Sequence, residues 1–160
     1  MKNALLPLFL IFSACASSQK AEVREYHQVF NAKYEVVWRA TQQAMLNYPM
    51  NVNNMDTGFL QTLFITGRNR YKAPHEETEK LPSGLQYQIN VNILRNESDT
   101  RTKVSIRKES RLQRDFFAKP KEIGSDGFEE KALIYRIGRE ILLEKQIKRA
   151  MDKMKKGKSS

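Results

Sequence analysis

Hydrophobic and polar positions alternate most cleanly over residues 85–95, where Leu85, Tyr87, Ile89, Val91 and Ile93 fall on one side and Gln86, Gln88, Asn90 and Asn92 on the other. A period of two marks a β-strand with one buried face. Residues 96–99 turn the chain into residues 100–112, where Thr102, Val104 and Ile106 alternate with Lys103, Ser105 and Arg107, so the two runs form an antiparallel hairpin. Upstream, residues 22–30 read as a strand that ends at Asn31, a helix N-cap residue. Over residues 33–48, Tyr34, Val37, Trp38, Thr41, Ala44, Met45 and Tyr48 recur at steps of three and four, one stripe of an amphipathic helix that Pro49 ends. Residues 50–54 alternate as a short strand, 55–58 turn, 59–66 form a third strand, and 67–84, with Pro74 and Pro82, make a long hairpin connection.

After a loop over residues 113–125, Asp126 with Glu129 three positions on has the form of a capping box. It opens a last helix running to about residue 155, whose principal face is predicted to be Phe128, Lys131, Ile134, Tyr135, Gly138, Ile141, Leu142 and Lys145. Glycine inside a helix costs about 1 kcal/mol relative to alanine, which predicts that Gly138 sits where the helix crosses close to the sheet. Strand, helix, four strands, long helix is the order of an α+β fold. It asks for an antiparallel sheet of about five strands, with the short helix and the long C-terminal helix on one face.

The N-terminus follows a different pattern. Met1 and Lys2 precede an apolar run over residues 4–12. Crossing a hydrocarbon core takes about 20 apolar residues, so this run has the length of a signal segment rather than of a permanent span. Phe12-Ser13-Ala14-Cys15 resembles the bacterial lipobox, in which an apolar residue and two small ones precede the cysteine that is acylated and becomes the new N-terminus. Leucine is usual where Phe12 stands. Cys15 is the one cysteine in the chain and occupies the one place where the motif requires it. The resemblance implies lipidation at Cys15 and a signal over residues 1–14, and the pattern that follows reads as a polar tether over 15–22, one domain over 23–155 and a basic flexible tail over 156–160. Ala16, rather than aspartate, after the cysteine implies the outer membrane and a domain facing the periplasm.

Composition narrows the function classes. With 160 residues, 40% hydrophobic and 29% charged, and with 7 Gly and 5 Pro, the chain is neither collagen-like nor disordered. One cysteine excludes an intrachain disulfide framework and any cysteine-based zinc site. His27 and His75 have no carboxylate, serine or cysteine at motif spacing, and the pairs Glu76-Glu77 and Glu129-Glu130 read as solvated charge. Strings that cradle phosphates or build a nucleophile elbow are absent, so no cofactor, no metal site and no catalytic residue is expected. Trp38 lies on a regular apolar stripe and reads as core.

The helix containing Val37-Trp38-Arg39-Ala40 and the turn and strand of Asp56-Thr57-Gly58-Phe59-Leu60-Gln61-Thr62, together with the lipobox, resemble the BamC family (NlpB/DapX-type lipoproteins). The arrangement resembles the helix-grip architecture, a curved sheet wrapping a long C-terminal helix, here as a single domain. The resemblance implies a non-enzymatic, lipid-anchored accessory of the machinery that inserts β-barrels into the outer membrane.

Three features suggest contacts. In the third strand Phe59, Leu63 and Ile65 fall on one face and Leu60 and Phe64 on the other; either both faces are covered, or Phe59, Leu63 and Ile65 expose a partner patch. Phe116 and Phe117, flanked by Arg114 and Lys119, pose the same choice between core plug and docking anchor. Net charge is +10 from 28 basic and 18 acidic residues, concentrated at the end, where Lys145, Lys148, Arg149, Lys153, Lys155, Lys156 and Lys158 face one acid, Asp152. An exported chain does not normally meet nucleic acid, so Lys148, Arg149, Lys153, Lys155 and Lys156 are expected either to be a solvated tail or to meet an anionic lipid or cell-wall surface. The leading expectation is thus an envelope lipoprotein that binds another envelope protein. The alternative is a carrier of lipid or another apolar small molecule, held between sheet and long helix.

Overall fold

The structure, a computed structural model, describes residues 24–66, 84–114 and 117–157. Its elements run β1 (Glu25–Phe30), α1 (Tyr34–Ala44), β2 (Met50–Asn54), β3 (Phe59–Thr62), β4 (Ile65–Thr66), β5 (Leu85–Arg95), β6 (Thr102–Leu112), β7 (Lys121–Ile123) and α2 (Phe128–Gly157). The strands form one open antiparallel sheet in the order β1-β6-β5-β3-β2, with β4 added along β5 and β7 along β6. The fold is α+β, as the alternation predicts. The two strands beyond the expected five are the short β4 and β7; β7 falls inside the expected 113–125 loop. The signal segment, Cys15, the tether, the 67–83 connection, Phe116 and residues 158–160 lie outside the described residues.

Residues paired directly across neighbouring strands share a face. The core face is therefore Tyr87, Ile89, Val91 and Ile93 of β5 beside Ser110, Lys108, Ile106 and Val104 of β6, with Phe30 of β1 opposite Thr102. Both helices cover it. From α1 come Tyr34, Val37, Trp38, Ala40 and Ala44, and from α2 Leu133, Ile137 and Ile141. Trp38 is core, stacked on Tyr34 at 6.2 Å between ring centroids. The face of α2 differs from the predicted one by about a quarter turn, since Phe128, Tyr135 and Leu142 are exposed. Leu133 and Ile137 were the residues that mattered; the longer apolar stripe through Phe128 and Leu142 outweighed them in the periodicity.

The first helix is not capped from its own side. Its N-cap position is Lys33, which makes no side-chain cap bond. Instead Asp99, in the β5–β6 turn with φ 49°, accepts from the Tyr34 amide at 2.9 Å. Asn31, the expected cap, ends the strand but does not serve the helix. The third strand is broken rather than two-faced. Thr62 Oγ1 takes up the Ile89 amide at 3.0 Å, the Leu63 amide turns away to the Pro49 carbonyl at 2.8 Å, and the strand resumes at Ile65. Two residues in the break shift the phase by one, so Leu60 and Thr62 face the core before it and Ile65 after it.

Gly58 and Gly138 differ in what holds them. Gly58 has φ 69° and passes under β5; a Cβ there would stand 2.2 Å from the Ile93 carbonyl oxygen. Gly138 has ordinary helical backbone, and a Cβ would meet Phe30 at 3.5 Å, an ordinary contact. The helix does pass over β1 at Gly138, but without needing the glycine. Gly138→Ala should therefore raise stability by up to about 1 kcal/mol. Gly58→Ala should lower it by about 2 kcal/mol or more through backbone strain and displacement of β5. Urea unfolding of both variants checks the opposite signs.

Candidate functional site

Three ionisable side chains are buried where the first turn of α2 meets the sheet. Lys108 continues the inward phase of Val104 and Ile106 on β6, and Glu129 and Glu130 open α2. Lys108 is 6% exposed, Glu129 2% and Glu130 fully buried. A lone charge so placed would be very costly, and Lys108 and Glu129 answer by pairing with each other. The Lys108 ammonium stands 3.1 Å from Glu129 Oε2, an ion pair without hydrogen-bond geometry, and 5.0 Å above the Tyr87 ring. Asp126 lies farther out at 3.8 Å. Glu129 Oε1 accepts from the Tyr48 hydroxyl at 3.0 Å and the Tyr87 hydroxyl at 3.2 Å. Neither Glu130 oxygen has a hydrogen-bond partner among the described residues.

These glutamates correct the solvated reading. Asp126 Oδ1 accepts from the Phe128 amide at 3.1 Å, but the first helical bond goes to the Gly127 carbonyl one residue later, and Glu129 turns into the core instead of back to the cap. The signal was present in the phase. Lys108 lies two residues beyond Ile106 on an inward face, and Glu130 lies three before Leu133 and seven before Ile137.

Beside the cluster opens a cleft of about 420 Å³ lined by Asn47, Tyr48, Pro49, Phe64, Ile65, Thr66, Tyr87 and Arg136. Its polar edge is the Tyr48 phenol, which donates a hydrogen bond to Glu129 and shares the cleft wall with Arg136. Burial first, then the negative charge of Glu129, pushes the Tyr48 phenol well above its ordinary value of 10.0. The geometry ties the connection after α1 to the first turn of α2.

The uncovered face of the sheet is a polar ladder. Asn51 donates to Gln61 at 2.8 Å, Gln61 to Asn90 at 2.9 Å, and Asn90 to Glu109 at 3.2 Å; Glu109 also pairs with Arg107. His27 lies on this face, opposite Ser105 on β6. His75 and Glu76-Glu77 lie outside the described residues.

The residues predicted for partner contact do not form one patch. Ile65 is core, 7% exposed, turned inward by the break in the strand, while Phe59, before the break, is half-buried opposite Asn92. Leu63 is exposed together with Phe64, over whose ring the Arg111 guanidinium sits at 3.4 Å. Phe117, at 93% exposure, is no core plug. Lys148, Arg149, Lys153 and Lys155 are exposed on α2, and Lys156 belongs to the same helix, so the basic segment is helical through Gly157 rather than a loose tail from residue 156.

Lys108→Met should strand Glu129 inside the core and cost about 3–5 kcal/mol, while adding Glu129→Gln should recover part of that loss. A double-mutant cycle by urea unfolding checks it, and strictly additive losses would show that the pair is not coupled. The raised Tyr48 phenol also sets a pH dependence. Below the ordinary tyrosine value both folded and unfolded chains keep the proton and stability is full; as pH rises past that value toward the higher folded one, only the unfolded chain releases it, so stability falls. Tyr48→Phe, which loses about 1 kcal/mol at neutral pH with its hydrogen bond, should show a shallower alkaline decline in thermal unfolding. No protein-family model matches the chain, and no curated protein matches it, so the functional reading rests on the residues themselves.

Proposed function

We propose that this protein is a lipid-anchored accessory of a bacterial cell envelope, held by an acylated Cys15 and acting by binding another envelope protein rather than by catalysis. The observation that carries this reading is the position of the chain's one cysteine, directly behind a signal-length apolar run and two small residues. Sheet pairing begins at Glu25, so residues 16–24 lie between the cysteine and the domain, enough chain to reach about 30 Å when extended. The outer membrane, with the domain facing the periplasm, is the location that Ala16 favours. An assembly accessory of the BamC type fits the anchor and the α+β order.

Exposed aromatic and aliphatic side chains outside the core give such a domain its means of contact. Among the described residues Phe117 is the most exposed large hydrophobic one, and Leu63 and Phe64 add a second apolar point at the break between β3 and β4. Aromatic anchors of this kind dominate protein interfaces when a partner desolvates them.

The test is one experiment in the native envelope. A photo-cross-linking residue is placed at position 117, in chains with Cys15 intact and with Cys15→Ala. With Cys15 the chain should fractionate with membranes and give a discrete adduct with one envelope protein; with Cys15→Ala it should leave the membrane fraction and the adduct should weaken. Full membrane retention of Cys15→Ala would remove the lipid anchor, and no adduct in either chain would remove the partner at this surface.

A further inference from the structure

The end of α2 leaves the domain. Among the described residues its last ties are the ion pair between Arg39 and Glu144 and the bond from Lys145 Nζ to the Asn31 carbonyl at 3.2 Å. Every residue from 145 to 155 is exposed. At 1.5 Å per residue, residues 146–157 extend the helix by about 18 Å past that point.

This overhang is two-sided. At about 100° per residue, Leu143, Ile147, Ala150, Met151 and Met154 fall within one arc of about 100°, and Lys145, Lys148, Arg149, Lys153 and Lys155 occupy the rest together with Asp152. The apolar arc is not the core stripe continued, for it lies about a quarter turn from Leu133, Ile137 and Ile141. Leu143, Ile147, Met151 and Met154 are 50–64% exposed, with neither sheet nor α1 over them. Solvation alone accounts for the cations but not for a continuous apolar stripe between them.

We propose that residues 143–157 form an interfacial helix that lies along an anionic membrane surface, the Leu143 to Met154 stripe set at the boundary of headgroups and acyl chains and the lysines and Arg149 among the phosphates. Charge complementarity selects this occupant. A second copy docked on the stripe would bring two cationic flanks together, and a neutral protein groove would leave them without counterions. An anionic bilayer meets both sides of the helix at once, since such helices bind through apolar area plus electrostatic attraction. The proposal rests on α2 alone and not on acylation of Cys15.

The test uses residues 16–160, which contain every described element and lack both the apolar run and Cys15. Binding is measured by co-sedimentation with vesicles of phosphatidylcholine alone and of phosphatidylcholine with phosphatidylglycerol. The chain should bind the anionic vesicles at least about tenfold more tightly than the neutral ones, with affinity falling as salt rises. Ile147→Gln with Met151→Gln keeps every charge and the helix propensity. It should lose about tenfold of that binding while near-UV circular dichroism and thermal unfolding, which report the core around Trp38, stay unchanged. Equal binding to both vesicles, or unaltered binding by the double variant, overturns the proposal. Self-association in sedimentation equilibrium without vesicle binding would instead assign the stripe to a second copy. None of these outcomes touches the Cys15 reading, because the tested chain carries no anchor.

Discussion

The buried pair of Lys108 and Glu129 fixes where the long helix begins, and much of the architecture follows from that point. Removing two charges from water is expensive, and attraction inside the core offsets the loss only if the geometry is held and the remaining lone pairs are used. Here Tyr48 and Tyr87 donate to Glu129 Oε1, while Oε2 faces the Lys108 ammonium. Four separate parts of the chain therefore meet on one carboxylate: the connection after α1, the central strand β5, its neighbour β6, and the first turn of α2. The direction of α2 in turn decides which of its residues are left without cover.

Docked at its start and tied last at Lys145, α2 behaves as two helices joined end to end. In the first, Leu133, Ile137 and Ile141 face the sheet and α1. In the second, the apolar residues have moved around the axis while the backbone continues without a break. The expected face failed for a separate reason within the first part, where Phe128, Tyr135 and Leu142 line up at helical spacing as a stripe that solvent occupies.

Where one periodicity governed an element, its placement was readable. The β5–β6 hairpin, the stripe of α1 and the core position of Trp38 follow from alternation and from steps of three and four, because burial there depends only on local spacing. Legibility failed where a non-local partner decided the outcome. Glu129 has a capping-box position, yet Lys108 and two phenols outcompete the cap. Ile65 sits in phase with Leu63 in sequence, yet the two-residue break that Pro49 and Thr62 stabilise reverses its face. The short β7 pairs with β6 through only three residues and carries no alternation long enough to declare itself. Of the candidate contacts, Phe117 was readable as a choice, and only the fold decided it toward solvent. The interfacial stripe was half-visible, since the cations stood out in composition while the apolar residues between them merged with the core pattern.

The cap on α1 has a consequence for how the chain assembles. A helix of this length is marginal on its own in water and depends on its ends and on its buried face. The oxygen that closes its N-terminus belongs to Asp99, 65 residues downstream, and the strands it packs on also come later. On a ribosome the helix is made early and its support late. The segment around Trp38 must wait, with its aromatic face uncovered, until the β5–β6 hairpin has closed.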